Sequence, residues 1–146
     1  MQTVEDFMTV GMPEIRRIYA YCLRAAMYEN GPDETIERGA TNMTVGLQFK
    51  SVDDENLVLL RFSFDLKGRY WNGEVDYVLE YEVAEKMDVP NSVIEEFATR
   101  SAVMCVYPYV RSAVADLTSK LPIPTVTLPL KRPGELDFMR EGILGE

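Results

Sequence analysis

Apolar and polar residues alternate through the middle of the chain. Met43, Val45, Leu47 and Phe49 alternate with Thr44, Gly46, Gln48 and Lys50, the period of two expected of a half-buried strand. The run meets Asp53, Asp54, Glu55 and Asn56, a polar turn, beyond which Leu60, Phe62, Phe64 and Leu66 alternate with Arg61, Ser63, Asp65 and Lys67. Asn72-Gly73 is the dipeptide that most readily accepts positive φ at both centres of a type I′ turn, so strand 57–71 is predicted to fold back on a strand beginning at Glu74. There Val75, Tyr77, Leu79, Tyr81 and Val83 take one face, and Asp76, Glu80 and Glu82 the other, with Val78 the exception. The pattern predicts an antiparallel meander with one wet face.

The flanks read differently. Behind Pro13, the residues Ile15, Ile18, Tyr19, Cys22, Leu23 and Ala26 make a helical stripe, whereas Tyr19, Tyr21, Leu23, Ala25 and Met27 make a strand face. Local propensity favours the helix. After Pro90, Ser92 and Glu95 form a candidate capping box, and Val93, Phe97, Val110, Ala113, Val114 and Leu117 follow a helical period. Pro108 removes a backbone donor inside this stretch and predicts a break or kink, with Pro108 opening a new first turn. Pro122, Pro124, Pro129 and Pro133 then keep the tail out of a helix or central strand.

A length of 146 residues suits one domain with one core. The 15 Lys and Arg against 24 Asp and Glu leave a net charge of −9, which repels nucleic acid and anionic membrane surfaces. There is no histidine, which removes Ser/His and Cys/His nucleophile pairs and histidine-containing zinc sites. Cys22 and Cys105 form neither a CxxC pair nor a disulfide framework and read as core residues in a reducing cytosol. No signal peptide and no apolar run of membrane-spanning length is visible, so the expected location is cytoplasmic, without membrane insertion.

The stretch Val106-Tyr107-Pro108-Tyr109-Val110-Arg111, then Ala115-Asp116-Leu117-Thr118, then Leu121-Pro122-Ile123-Pro124-Thr125-Val126-Thr127-Leu128-Pro129-Leu130, resembles the carboxy-terminal core of SecB-like chaperones. In that family an aromatic-Pro-Tyr-x-Arg helix leads into a proline-bearing, apolar extended segment. Arg17-Ile18-Tyr19 looks like the start of the family's first strand, and the hairpin followed by a long helix falls in the same order. The resemblance covers roughly residues 15–138. It implies an α+β fold, a four-stranded antiparallel sheet with a long proline-interrupted helix packed on one face, and overrules the local helix reading of 15–27. Residues 1–14 are then an N-terminal extension, 15–138 the chaperone domain and 139–146 a short tail. Only MREGILGE follows Phe138, so the family's closing helix is expected to be a stub or missing. The long acidic tail of the export-dedicated members is not seen, which makes the chain look like the shorter, divergent relatives, some of which serve toxin–antitoxin systems.

The implied function is ATP-independent holding of non-native polypeptides, with no cofactor and no metal. No Gly-rich phosphate loop or paired metal-ligand spacing occurs, in agreement. Candidate polypeptide-binding residues are Tyr107, Tyr109, Ile123, Val126, Leu128 and Leu130, since exposed apolar surface is what a non-native segment buries against. For Tyr107 and Tyr109 packing of the helix onto the sheet is the favoured reading, with one of them facing the groove as the other, and Arg111 reads as a tether from the helix to a carboxylate. Asp76, Glu80 and Glu82 form an acidic stripe facing solvent; the resemblance implies docking of the zinc-bearing tail of the SecA motor there. A toxin–antitoxin pair is the other candidate partner. A homo-oligomer is expected, a dimer of dimers with the 92–120 helical region at an interface, because a single helix layer leaves edges and one helix side uncovered. The readings from other classes are a small dimeric α+β enzyme with a sheet–helix cavity, and an oligomeric interaction module.

Overall fold

In the computed structural model, which describes residues 3–10, 13–52, 56–83, 90–136 and 138–145, β1 (Glu14–Met27), β2 (Asn42–Val52), β3 (Leu57–Lys67), β4 (Trp71–Glu82) and β5 (Phe138–Gly145) share one sheet. Its order is β1-β4-β3-β2-β5. The first four strands pair antiparallel, as expected, and β5 adds a fifth, parallel to β2. Where the family's closing helix was expected to be a stub or missing, the chain is extended. The alternation held: Val45, Leu47, Phe49, Leu60, Phe62, Phe64, Leu66, Val75, Leu79 and Tyr81 all lie in the core.

The helical layer covers that apolar face. It runs as α2 (Asn91–Phe97), a π-helical turn at Ala98–Ala102, and α3 (Val103–Ser119). Pro90 precedes α2, and no side-chain cap hydrogen bond forms there, so the Ser92–Glu95 box does not start the helix. The expected interruption is also displaced. α3 passes through Pro108, and the irregular turn lies upstream at Ala98–Ala102. One lost donor at an exposed proline is a smaller cost than unseating the residues that α3 buries on either side of it, Val103, Val106, Tyr107, Val110 and Val114. The short α1 (Val4–Val10) inserts Phe7 into the same core, edge-on to Phe97 at 5.1 Å between ring centroids, and Phe97 in turn meets Tyr81 at 5.1 Å. Part of the segment read as an extension thus contributes to the core.

Residues 15–27 are strand, not helix. β1 pairs with β4 from Glu14↔Glu82 to Met27↔Trp71, giving the open side of β4 the backbone partners it would otherwise lack. Two irregularities, at Ile15/Arg17 and Ala20/Cys22, break its period. The second puts Tyr19 opposite Val78 on the wet face and Leu23 opposite Val75 on the helix side, so the single tyrosine-to-methionine face read from the sequence is split.

The β3–β4 turn is not at Asn72-Gly73. β3 ends at Lys67, Gly68 N–H donates to Trp71 O at 2.8 Å, and Asn72 and Gly73 are strand residues opposite Lys67 and Leu66. The indole of Trp71 decides this. It is buried, and a Cβ at Gly68 would lie 2.1 Å from its Nε1, while one at Gly73 would lie 2.9 Å from its Cζ3. Both glycines make room for the ring, and burying it outweighs the local turn preference of Asn-Gly. Gly68→Ala is therefore expected to destabilise the fold by about 1 to 3 kcal/mol and to shift the emission of Trp71, the single tryptophan, because the indole must move. Chemical denaturation followed by intrinsic fluorescence checks both. At the other hairpin, Asp53, Asp54 and Glu55 of the expected polar turn lie outside the described residues, and Asn56 has a positive φ of 53°.

Candidate functional site

Because β1 pairs with β4 rather than β2, the chain between them crosses the sheet end. Tyr28 N–H donates to Tyr70 O at 3.0 Å, Asp33 N–H to Arg69 O at 2.8 Å, and Arg69 Nη1 to Ile36 O at 3.2 Å, fastening the crossover onto the β3–β4 turn. On the other side, the extended strap after α3 is held by a row of polar side chains on that helix. Tyr107 OH donates to Pro129 O at 2.7 Å, Arg111 Nε donates to Leu128 O at 2.9 Å, and Thr118 Oγ1 accepts from Val126 N–H at 2.9 Å while donating to Val114 O at 2.7 Å. Prolines leave the strap without a sheet of its own, so the helix satisfies its backbone instead. Burial pushes the Tyr107 hydroxyl up from its ordinary value, which keeps it a donor; Arg111 partly opposes the effect.

Between crossover and strap lies a groove of about 550 Å³, lined by residues 38–41, 69–71 and 123–129, the buried Trp71 among them, with more apolar than polar surface. Ile123 and Val126 are half-buried in it. No acidic residue lines it.

The opposite face of the sheet was expected to carry an open acidic stripe, and here the structure differs. Asp76 is completely buried, and Arg61 from β3 donates to its Oδ2 through Nη2 at 2.5 Å and Nε at 3.2 Å. Arg61 is itself stacked on the Tyr21 ring, 4.0 Å from the centroid. Glu80 is buried beneath Arg17, whose Nη2 reaches its Oε1 at 2.6 Å and whose guanidinium sits 4.5 Å from the Tyr19 ring centroid. Only Glu82 of the three is exposed. Alternation put all three carboxylates on the wet side; arginines and tyrosines of the neighbouring strands then cover two of them.

Asp65 lies in a hollow on this face with Arg24, Lys67 and Glu74. It stands directly opposite Glu74, which Arg24 holds in an ion pair. Partial burial, then the charges of Glu74 and Asp76, raise the Asp65 carboxyl above its usual range. A carboxyl raised by folding costs stability that sets in as pH climbs from the unfolded value through the folded one, and that vanishes below the unfolded value. Asp65→Asn is therefore expected to raise the denaturation midpoint at neutral pH, with the gain disappearing near pH 3. An equal gain at both pH values would show that charge is not the cause.

No family model and no curated protein matches this chain. Solved structures do. The Mycobacterium tuberculosis Rv1957 SecB-like chaperone, in complex with a ChAD peptide from the Rv1956 HigA1 antitoxin, superposes with a TM-score of 0.69 at 21% identity, over 85% of this chain and 98% of that one. The fold is SecB-like. A protein of unknown function from Streptococcus agalactiae matches with a TM-score of 0.52 at 12% identity, over 81% of this chain and 97% of that one.

The SecB-like fold brings only part of the nominated set together. Ile123, Val126 and Leu128 line the groove, but Leu128 is only 3% exposed and packs as core. Tyr107 is buried against Phe64, with its hydroxyl on the strap, so it holds the groove wall rather than facing the lumen. Tyr109 lies elsewhere, exposed beside Tyr77 at 5.8 Å between centroids, and Leu130 is 79% exposed beyond the groove. Arg111 tethers the helix to a carbonyl and not to a carboxylate. Arg38, Arg69, Tyr70 and Trp71, which complete the groove, were not singled out from the sequence. The unused signal was Gly68 followed by two aromatics within three residues, which marks a turn built around a ring. Both cysteines are free and half-buried; Cys105 packs against the core beside Tyr81, and Cys22 lies on β1. Among the described residues no cluster of three or more His, Cys, Asp or Glu is arranged to hold a metal ion, and no helix is long and apolar enough to cross a membrane.

Proposed function

We propose that this chain is a holdase that binds extended, non-native polypeptide in the groove between the crossover and the strap, without ATP and without chemistry. The observation that carries the reading is the groove itself: an apolar channel whose wall is a proline-rich strap held by its backbone, leaving Ile123 and Val126 free to meet a client. The peptide-bound SecB-like chaperone of similar fold supports it. By the same likeness, the proposed client is a dedicated one such as an antitoxin, acting in the cytoplasm. Burial of Asp76 and Glu80 speaks against using the wet face as the dock for a SecA-type tail.

The purified protein should suppress aggregation of a chemically unfolded client in the absence of nucleotide and ignore the same client when native. Failure with all unfolded clients, together with tight binding of one natively folded partner, would turn the reading into a dedicated interaction module; failure with all and no such partner would remove it.

The enzyme reading has one observation on its side, the raised carboxyl of Asp65 in its polar hollow. The chaperone reading accounts for the same shift by partial burial of the carboxyl in the hollow, with the like charge of Glu74 opposite it adding to the effect.

The proposal includes self-association. β1 is a 14-residue edge strand whose outer side has no partner among the described residues, and it exposes Ile15, Tyr21 and Leu23, with Tyr109 of α3 also exposed. Light scattering coupled to size exclusion should give a mass of at least two copies.

A further inference from the structure

The groove lining includes two arginines and no acidic residue. The chain carries a net charge of −9, and five of its ten arginines, Arg17, Arg24, Arg61, Arg100 and Arg132, pair with Glu80, Glu74, Asp76, Glu96 and Glu135. Arg38 and Arg69, both on the groove, make no ion pair among the described residues, although, beside the hydrogen bonds from Thr35, the charge of Arg69 helps to lower the Asp33 carboxyl. Arg38 is exposed. Arg69 spends Nη1 on the Ile36 carbonyl, while its Nε is buried with no acceptor. A buried guanidinium N–H without an acceptor is costly, and a carboxylate is the acceptor that matches it in charge and fork geometry. No acidic group of the groove lining supplies one.

We propose that the groove selects extended segments in which an Asp or Glu lies within a few residues of an apolar anchor, the anchor entering against Trp71, Ile123 and Val126 and the carboxylate docking on Arg69 and Arg38. This rests on the reading of the groove as the client site. The net negative charge disfavours acidic segments in general, so two arginines in an apolar groove without acidic lining discriminate by position and not by overall charge.

The test uses two fluorescein-labelled, unstructured peptides with the same apolar and aromatic anchors, one carrying a flanking Asp and the other Asn, titrated by anisotropy against the full chain. The Asp peptide is expected to bind about five- to tenfold more tightly at low salt. That advantage should shrink in Arg38→Gln, vanish in Arg38→Gln/Arg69→Gln, and fall as salt rises, with the Asn peptide losing less affinity than the Asp peptide in Arg38→Gln. Because Arg69 also fastens the crossover, Arg38→Gln alone keeps the test valid if the double variant misfolds. Equal binding of the two peptides to the wild type overturns the inference while leaving the groove reading intact, as does an Asp preference that Arg38→Gln leaves unchanged. No binding of either peptide removes the groove reading and this inference with it.

Discussion

Arg61→Ala is expected to destabilise the fold by about 3 to 5 kcal/mol, more than Asp76→Asn, although the two residues form one ion pair. The asymmetry follows from where the charges sit. The Asp76 side chain has no exposure, whereas that of Arg61 keeps about a third, 32%. Removing the arginine strands a carboxylate in the sheet, with Oδ1 already lacking a partner and Oδ2 losing both of its donors. Removing the carboxylate leaves a guanidinium that still has water, the Tyr21 ring and a longer contact from Nη1 to Gln48 Oε1 at 3.4 Å. Asp76→Asn, which keeps the shape, should cost about 1 to 2 kcal/mol. Replacing both together, as Arg61→Met/Asp76→Leu, should recover most of the loss, since a packed apolar pair avoids the desolvation cost. Urea midpoints at constant denaturant slope measure all three. A loss below about 1 kcal/mol for Arg61→Ala would mean that water reaches Asp76, and would reopen this face as an acidic surface.

Ile123→Ser/Val126→Ser should separate holding from folding. Both side chains are half-buried in the groove, so a client would complete their burial, and losing that contact should weaken client binding by about 2 to 3 kcal/mol, roughly 30- to 150-fold in Kd. The stability cost should stay near 1 kcal/mol, because each residue is already partly hydrated. Leu128→Ser is the contrasting variant. At 3% exposure it packs into the core under the strap, so a hydroxyl there should cost about 3 kcal/mol or more and loosen the groove wall with it. Leu130→Ser, at 79% exposure, should change neither. Aggregation suppression and peptide anisotropy, read beside circular dichroism, distinguish the outcomes. Unaltered holding by the folded double variant would take the groove out of the mechanism.

The sequence alone determined which residues of the central strands face the core. Period-two alternation at 43–49, 60–66 and 75–81 is a local property, because successive side chains must leave opposite sides of an extended backbone. The Tyr107–Leu130 stretch likewise located the helix and the strap, and so one wall of the groove. Everything that depended on a partner distant in the chain was decided by the tertiary structure. Residues 15–27 carry a usable helical stripe, and become β1 because β4 needs backbone partners along its free side. The turn moves from Asn72-Gly73 to Gly68 because an indole has to fit between two glycines. Asp76 and Glu80 read as solvent-facing from their own strand, yet Arg61 and Arg17 reach over them from β3 and β1. The second wall of the groove exists because the β1–β2 connection crosses the sheet end, which the strand order dictates and no local pattern encodes. Alternation sets which side of the sheet a side chain takes; whether that side is water or another residue depends on what the fold lays across it.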